Sequence, residues 1–436
     1  MSSLETFVEN LWIVDSHEHT VQEDERVSSK ADPLQIFLSQ YASSDLISAG
    51  LTVEDYVRAL DTRVPLKERW KIIEPYWVKA KNTSYFDVIK LAVQDIYGIS
   101  ELNENTVEDL SLKMNSMNKK GLYKWILKDL AKIKVSIYDG INDVVEVDRN
   151  FFLPVVRLED FILIRSREDV RRLSESVKIP IHSLRDLEKA LEIKVQSILD
   201  KIVGFKIALA YRRDIHFEKA AFYEAEKVLN KILGSEKTFI RYTSPDGVRL
   251  TMSDELSVEE CRPLQNYMVH RILGLACRHK LPVQVHTGLQ EGNLNLVSNS
   301  NPLNLANLFM EYYDVKFDVF HGSYPYVREL AVLAKNFPNV YVDLCWLHAV
   351  SSSSAKSALE ELLDMVPVNK IIGFGGDYKH VEGIYGHSKI ARKNIFEVLQ
   401  DKVDRGRFGF DEAKNIARML LHDNLLEIFT TIKSIG

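Results

Sequence analysis

Eight short runs of apolar, mostly β-branched residues constrain this sequence more than any other feature in it. They fall at residues 12–16, 134–138, 152–157, 203–208, 282–286, 317–321, 340–345 and 371–375. Near-continuous apolar runs suit strands buried on both faces, as in a parallel sheet. Parallel neighbours need crossovers, and most intervals carry apolar residues at helical spacing. Residues 258–279 form such a pattern ahead of Pro282, residues 326–336 follow Pro325 and stop before Pro338, and residues 389–399 hold few breakers. Ser183-Leu-Arg-Asp186 resembles a capping box at a helix start. Eight strand–helix units predict an α/β fold closed into a (β/α)8 TIM barrel. One interval is too short for the pattern. Only about ten residues separate Gly140 from Phe151, where a crossover takes a dozen or more. Either that unit lacks a full helix or the second strand is misplaced.

The chain has 436 residues, and its excess over a bare barrel gathers in two places. Residues 21–132 are rich in Leu, Trp and Tyr at helical spacing, with prolines at 33, 65 and 75. They read as a helical insertion on the first strand-to-helix loop, at the catalytic face, where they could lid a site. Residues 234–256 form a second insertion, with Ser-Pro-Asp-Gly at 244–247 as a turn signal. The expected organisation is one barrel over residues 1–436 with the helical insertion inside it. Apolar residues at 46% and charged residues at 27% are ordinary for a globular chain. A net charge of −6 gives no electrostatic reason to expect nucleic acid. No apolar run approaches the roughly 18 residues of a transmembrane helix, and the first residues lack a signal-peptide pattern. The three cysteines, Cys261, Cys277 and Cys345, show no C-x-x-C spacing, which points to a reducing, cytoplasmic compartment. Cys345, inside an apolar run, is expected to be buried and unreactive. The expected partner is a small-molecule substrate, with no nucleic acid and no membrane. A homo-oligomer is expected on general grounds alone.

The chemistry gathers at the ends of the apolar runs. Asp15-Ser-His-Glu-His19 closes the first, and residues two apart on a strand point to the same side. His17 and His19 can therefore present two imidazoles to one point, which suits a borderline metal such as zinc. Two such histidines could equally pack or face solvent. His286 ends the fifth run, His321 the sixth, and Asp377 follows the eighth. In a closed barrel these ends converge on one face, and four histidines with one aspartate placed there favour a metal site. Zinc is the expected ion, with manganese as the alternative, in one or two copies. Lys206 ends the fourth run, where an ammonium in a barrel mouth is costly unless paired, hydrated or modified. It could bind a substrate carboxylate, be carbamylated and bridge two metals, or snorkel to solvent. Arg157, Tyr211, Arg212 and Arg213 also lie near strand ends, and some could clamp a carboxylate, although Arg212 and Arg213 could simply form surface ion pairs. His380, Glu382, Tyr385 and His387 follow the eighth strand and are expected at the mouth, Glu382 as a substrate contact. His182, His216, His270, His279, His348 and His422 are read as structural.

Together these residues resemble the amidohydrolase superfamily, in its amidohydrolase-2 type. The pattern is H-x-H on the first strand, Lys on the fourth, His on the fifth and sixth, and Asp on the eighth. Longer strings place the likeness near the branch of nodulin and FluG-like amidohydrolase domains and uronate isomerase. They are Phe205-Lys-Ile-Ala-Leu-Ala-Tyr-Arg-Arg213, Pro282-Val-Gln-Val-His-Thr-Gly288, Ser300-Asn-Pro-Leu303, His321-Gly-Ser-Tyr-Pro325, Asn339-Val-Tyr-Val-Asp343 and Val156-Arg-Leu-Glu159. Residues 76–98 resemble the branch's helical insertion. The chain departs from the branch at Gln290-Glu291, where Asp is frequent, and at Ile207, where Ser is common. The resemblance implies a metal-dependent hydrolase that attacks a C–N, amide-type bond of a small, carboxylate-bearing substrate through a metal-activated water. Asp377 would take the proton of that water and pass it to the leaving group. His321 would polarise the carbonyl or hold the nucleophile, and His286 would be a ligand or an electrophile. Lys206 would complete a second metal position if carbamylated. Decarboxylation or uronate-type isomerisation on the same barrel is the alternative, and a non-catalytic metal-binding barrel is the second alternative.

Overall fold

The computed structural model describes residues 3–140, 146–236, 238–244 and 247–431. All eight apolar runs become strands of one parallel sheet. They are β1 (Ile13–Glu18), β2 (Ile133–Asp139), β3 (Phe152–Val156), β4 (Gly204–Ile207), β5 (Val283–Val285), β6 (Phe317–Val319), β7 (Val340–Asp343) and β8 (Ile371–Ile372), hydrogen-bonded in chain order. Phe205–Ile207 lie beside Val283–Val285, and these beside Phe317–Val319, without a slip of register. β8 is short, so the seam with β1 is closed by single backbone bonds. Ser16 N donates to the Phe374 carbonyl at 3.2 Å, and Asp377 N to the His17 carbonyl at 2.8 Å. The strands are buried on both faces because helices cover the outside and side chains fill the inside. Val14, Val135, Leu153, Val203 and Ile372 plug one end of the interior against Phe429. Above them lies a polar layer of Asp15, Ser136, Gln284, Asp318 and Asp343, all fully buried.

Of the two expected explanations for the short interval between β2 and β3, a misplaced second strand is excluded, and residues 141–145 lie outside the described residues. Both strands stand where the sequence placed them and pair in parallel from Ser136 and Phe152 onward. No helix lies in residues 146–151. The 258–279 pattern is the helix Val258–His279, started by a capping box of Ser257 with Glu260. At Ser183 the hydroxyl accepts from Asp186 N, but the Asp186 carboxylate takes its backbone bond from His182 N. The second insertion carries an antiparallel hairpin, Thr238–Ser244 with Gly247–Ser253. Two of its four turn-signal residues, 245 and 246, lie outside the described residues.

The first insertion is helical, running through Glu23–Ser28, Pro33–Leu38, Ala42–Ser48, Val53–Leu60, Leu66–Ala80, Ser84–Tyr97 and Val107–Met117. Its position has a consequence for the helix that follows β8, Val381–Asp404. That helix lies between the barrel and the insertion, so its first two turns are buried all round, from Val381 to Ser388. The approach is close: a Cβ at Gly386 would stand 2.2 Å from the Val88 carbonyl oxygen. No helix among the described residues is long and apolar enough to cross a membrane.

Candidate metal centre

The strand ends bring His17, His19, His286, His321, Asp377 and Lys206 to one face of the barrel. The pairing inside this group follows from which ring nitrogens carry hydrogen. His19 Nδ1 lies 2.8 Å from the Asp139 carbonyl oxygen, which can only accept, so Nδ1 donates and Nε2 faces the site, where without an ion it shares a proton with Asp377 Oδ1 at 3.2 Å. His17 Nδ1 faces Gln284 Oε1 at 3.2 Å. The amide is oriented because its nitrogen donates to the Ser16 carbonyl at 2.8 Å and to Asp318 Oδ2 at 3.0 Å. His17 therefore donates through Nδ1 and also turns a bare Nε2 to the site. The two Nε2 atoms stand 3.2 Å apart. The same logic holds across the site. His321 Nδ1 donates to the Cys345 carbonyl at 2.9 Å and His286 Nε2 to the Leu289 carbonyl at 3.1 Å. This leaves His321 Nε2 and His286 Nδ1 facing each other at 3.1 Å.

Lone pairs that close repel unless a cation or a shared proton lies between them. Backbone carbonyls and amides that fix the far nitrogen are the usual partners of metal-binding histidines. Asp377 sits between the two pairs. Its Oδ1 is 3.2 Å from His19 Nε2 and 3.9 Å from His17 Nε2, and its Oδ2 is 3.9 Å from His321 Nε2. Four imidazole nitrogens and a carboxylate form a donor set that fits a borderline divalent ion.

The backbone is bent to make this possible. Asp377 and His321 adopt φ of +63° and +64°, values rare for residues with a side chain. The Asp377 carbonyl is held by two residues of the insertion, Gln40 Nε2 at 2.9 Å and the Tyr41 hydroxyl. Tyr41 in turn packs against both Trp346 and Tyr85, which also stack on each other.

Burial dominates the electrostatics. It drives the His17 and His286 imidazoles well below their ordinary range and His321 down to about 4. Burial also pulls His19 down, but the Asp377 hydrogen bond and the Asp139 and Asp377 charges outweigh it and hold His19 above its ordinary value. Burial pushes Asp377 up, and the bond and charge of His19, with His321 and Lys206, bring it below the usual carboxylate range. Burial lowers Lys206 to about 8. Lys206 does not snorkel: it is 1% exposed, and its Nζ lies 3.3 Å from the centre of the Phe320 ring.

A cavity of about 610 Å³ opens on this cluster. His17, His19, Lys206, His286 and Asp377 line it, with Arg157, Tyr211 and Arg212. Arg157 forks onto Asp139, with Nε at 2.9 Å and an Nη at 2.8 Å from Oδ2. Arg212 is exposed and makes no ion pair among the described residues. The Tyr211 hydroxyl accepts from Glu291 N at 3.0 Å.

Other expectations fail for a physical reason. Glu382 does not reach the cavity. It is fully buried under the insertion, bonded to Arg26 at 3.0 Å and Tyr97 at 2.7 Å. Its place among the substrate contacts is therefore withdrawn. His380, Tyr385 and His387 follow it away from the mouth; His387 donates to the Gly376 carbonyl at 3.0 Å and Tyr385 to Asp95 at 2.9 Å. Arg213 is not at the surface as expected, although Asp214 Oδ1 stands 4.0 Å from its guanidinium. It is buried, bonded to Gln265 and Asn266 at 2.9 Å each.

Two site residues were missed. Asp139 ends β2 with Oδ2 3.7 Å from His17 Nε2. It lies one residue beyond the predicted strand, so the strand-end rule applied to the second run would have found it. Cys345 ends the seventh run. Its Sγ and ligand atoms of His321 and Asp377 all lie within 4.8 Å of one another.

Comparisons with known proteins show what the chain resembles in sequence and in fold. Residues 241–424 match the family described as Amidohydrolase. Over 229 residues, half of this chain, the sequence is 29% identical to Protein fluG of Emericella nidulans, and the match spans 25% of that protein's length. The uronate isomerase of Thermotoga maritima has the same fold, with a TM-score of 0.76 at 16% identity over 98% of this chain and 96% of the other. A structure described as that of a candidate metal-dependent hydrolase from Lactobacillus casei superposes with a TM-score of 0.65 at 18% identity, with full coverage of both chains. At these identities the structural likeness is one of fold.

Proposed function

We propose that this chain, a relative of the amidohydrolase superfamily, is a metal-dependent hydrolase that cleaves a C–N, amide-type bond in a small substrate bearing a carboxylate. The observation that carries the reading is the convergence of four imidazole nitrogens and the Asp377 carboxylate beside an open cavity. His17, His19 and Asp377 hold the ion, with His286 and His321 beside them. A divalent ion there supplies Lewis acidity and brings the acidity of water toward neutral pH. Asp377 remains ionised at neutral pH and takes the proton of the attacking water, then returns it to the leaving nitrogen. His321, neutral at that pH with Nδ1 tied to the Cys345 carbonyl, is oriented by a bond that leaves Nε2 facing Asp377. Lys206 supports the carboxylate-bearing substrate class. A buried ammonium is costly unless an anion meets it, and no carboxylate forms an ion pair with Lys206 among the described residues. Arg212, exposed at the cavity and unpaired among those residues, offers a second contact.

The test is amine release from a panel of N-acyl amino acids and neutral amides, run on protein reconstituted with zinc or manganese. Release restricted to carboxylate-bearing compounds and abolished in a His17→Ala/His19→Ala double variant supports the reading. Lys206→Met should raise KM about tenfold or more with a smaller change in kcat, since a charged hydrogen bond contributes about 1.5–3 kcal/mol. Release of CO₂ or aldose–ketose conversion without amine would replace hydrolysis with one of the alternative chemistries.

A further inference from the structure

The two imidazole pairs leave a second place for a cation, or for a shared proton, once one ion is bound. An ion between His17 and His19 relieves that pair, yet His321 Nε2 and His286 Nδ1 still face each other bare at 3.1 Å. A second cation on that side would be held more firmly by an anionic ligand besides Asp377. The sequence offered a carbamylated Lys206. Its nitrogen, however, lies 3.3 Å from the centre of the Phe320 ring. The negative face of an aromatic ring favours an ammonium and disfavours an anion.

The structure holds a different anion source. Cys345 is completely buried, yet its thiol faces the polar cluster. Sγ, a His321 nitrogen and an Asp377 oxygen all lie within 4.8 Å of one another. The thiol is also held in place. Cys345 N donates to Asp343 Oδ1 at 2.7 Å, Trp346 N donates to the Gly375 carbonyl at 2.9 Å, and a Cβ on Gly375 would stand 2.7 Å from Sγ. Glycine at that position leaves room for the sulfur. We propose that Cys345, with His321 and Asp377, forms a second, thiophilic metal position next to His286, and that Lys206 stays an unmodified ammonium. The inference rests on the metal-centre reading above. The thiol gives up its proton to solvent as the metal–sulfur bond forms, with no redox change. A thiolate beside imidazole and carboxylate selects zinc or cobalt over magnesium or calcium.

The experiment is cobalt(II) titration of the full chain after removal of metal with a chelator, followed by near-ultraviolet absorption and elemental mass spectrometry. The expected result is two cobalt ions per chain, with a thiolate-to-cobalt charge-transfer band rising with one of them. Cys345→Ser, checked for a native circular dichroism spectrum, should bind one ion and show no band. Cys345→Ala serves if the serine variant misfolds, and the wild-type band is decisive without either. Two ions without the band, or two ions retained in a folded Cys345 variant, would overturn the assignment. One ion without the band would overturn it while leaving the His17–His19–Asp377 reading intact. No bound ion would remove both.

Discussion

Single side chains decide this site through what each far end touches. Asp377 is held between two histidine pairs, with its carboxyl below the usual range. Asp377→Asn keeps the shape and removes the base, so kcat should fall by about 10²–10⁴ if it acts in general acid–base catalysis. Steady-state rates on the reconstituted protein measure this, and an unchanged kcat would remove Asp377 from the chemistry. Arg157 makes a separate prediction. Asp139 is 1% exposed and depends on the Arg157 fork, whose charge is the main influence holding its carboxyl down against burial. Arg157→Ala should destabilise the chain by about 1.5–3 kcal/mol, the usual worth of a hydrogen bond to a charged group, because His19 and Lys206 still favour the carboxylate. Urea unfolding would read this as a lower midpoint with an unchanged slope. A midpoint equal to that of wild type would mean that Asp139 finds another partner.

At the scale of elements, the helical insertion is more than a cover. Gln40 and Tyr41 bring it onto the Asp377 carbonyl, at a residue whose backbone is already strained. Removing both donors with Gln40→Ala/Tyr41→Phe should lower kcat by about tenfold or more, because small displacements of a reacting group are costly. The phenylalanine keeps the stack on Trp346. Metal content should stay as in wild type, and normal kinetics would show that the carbonyl needs neither donor. The insertion also grips the helix Val381–Asp404 at a second place, the buried Arg26–Glu382 pair. Glu382→Ala should cost about 3–5 kcal/mol of stability and leave KM near wild type, since Glu382 stands outside the cavity. A KM effect without a stability loss would restore it to the substrate contacts.

For the whole molecule, buried neutral histidines set an acid limit. Burial lowers His348 and His380 to about 4 and His387 to about 3. As pH falls below 6.5 the unfolded chain takes up protons that these residues refuse, so stability drops through that window and levels off below the folded values. Asp15 and Asp318, raised to about 6, act in the opposite sense as pH falls from there toward 3.8. His348 separates the two effects because it lies away from the acids, bonded to the Gly373 carbonyl and Asn394. Stability of His348→Gln should depend less on pH than wild type between 6.5 and 4, by on the order of 3 kcal/mol. Parallel stability curves would mean that His348 titrates alike folded and unfolded.

The sequence by itself determined the barrel and the cluster of His17, His19, His286, His321 and Asp377. Both are local signals: strands buried on two faces read as continuous apolar runs, and the fold sends every strand end to one face. Even the short interval before Phe152 proved to be a unit without a described helix, with both strands in place. The tertiary structure alone decided the rest. Glu382 looked like a mouth residue because it follows β8, and an insertion from the other end of the chain buries it. Arg157 looked free, and Asp139 from the neighbouring strand takes its charge. Cys345 looked like inert packing, and Gly375 leaves space for its sulfur beside His321 and Asp377. The ring nitrogens that face the site are chosen by Asp139, Gln284, Leu289 and Cys345, most of them on other strands or loops. Hydrogen bonds and burial depend on partners brought together from distant parts of the chain, whereas periodicity and strand-end placement are written along it.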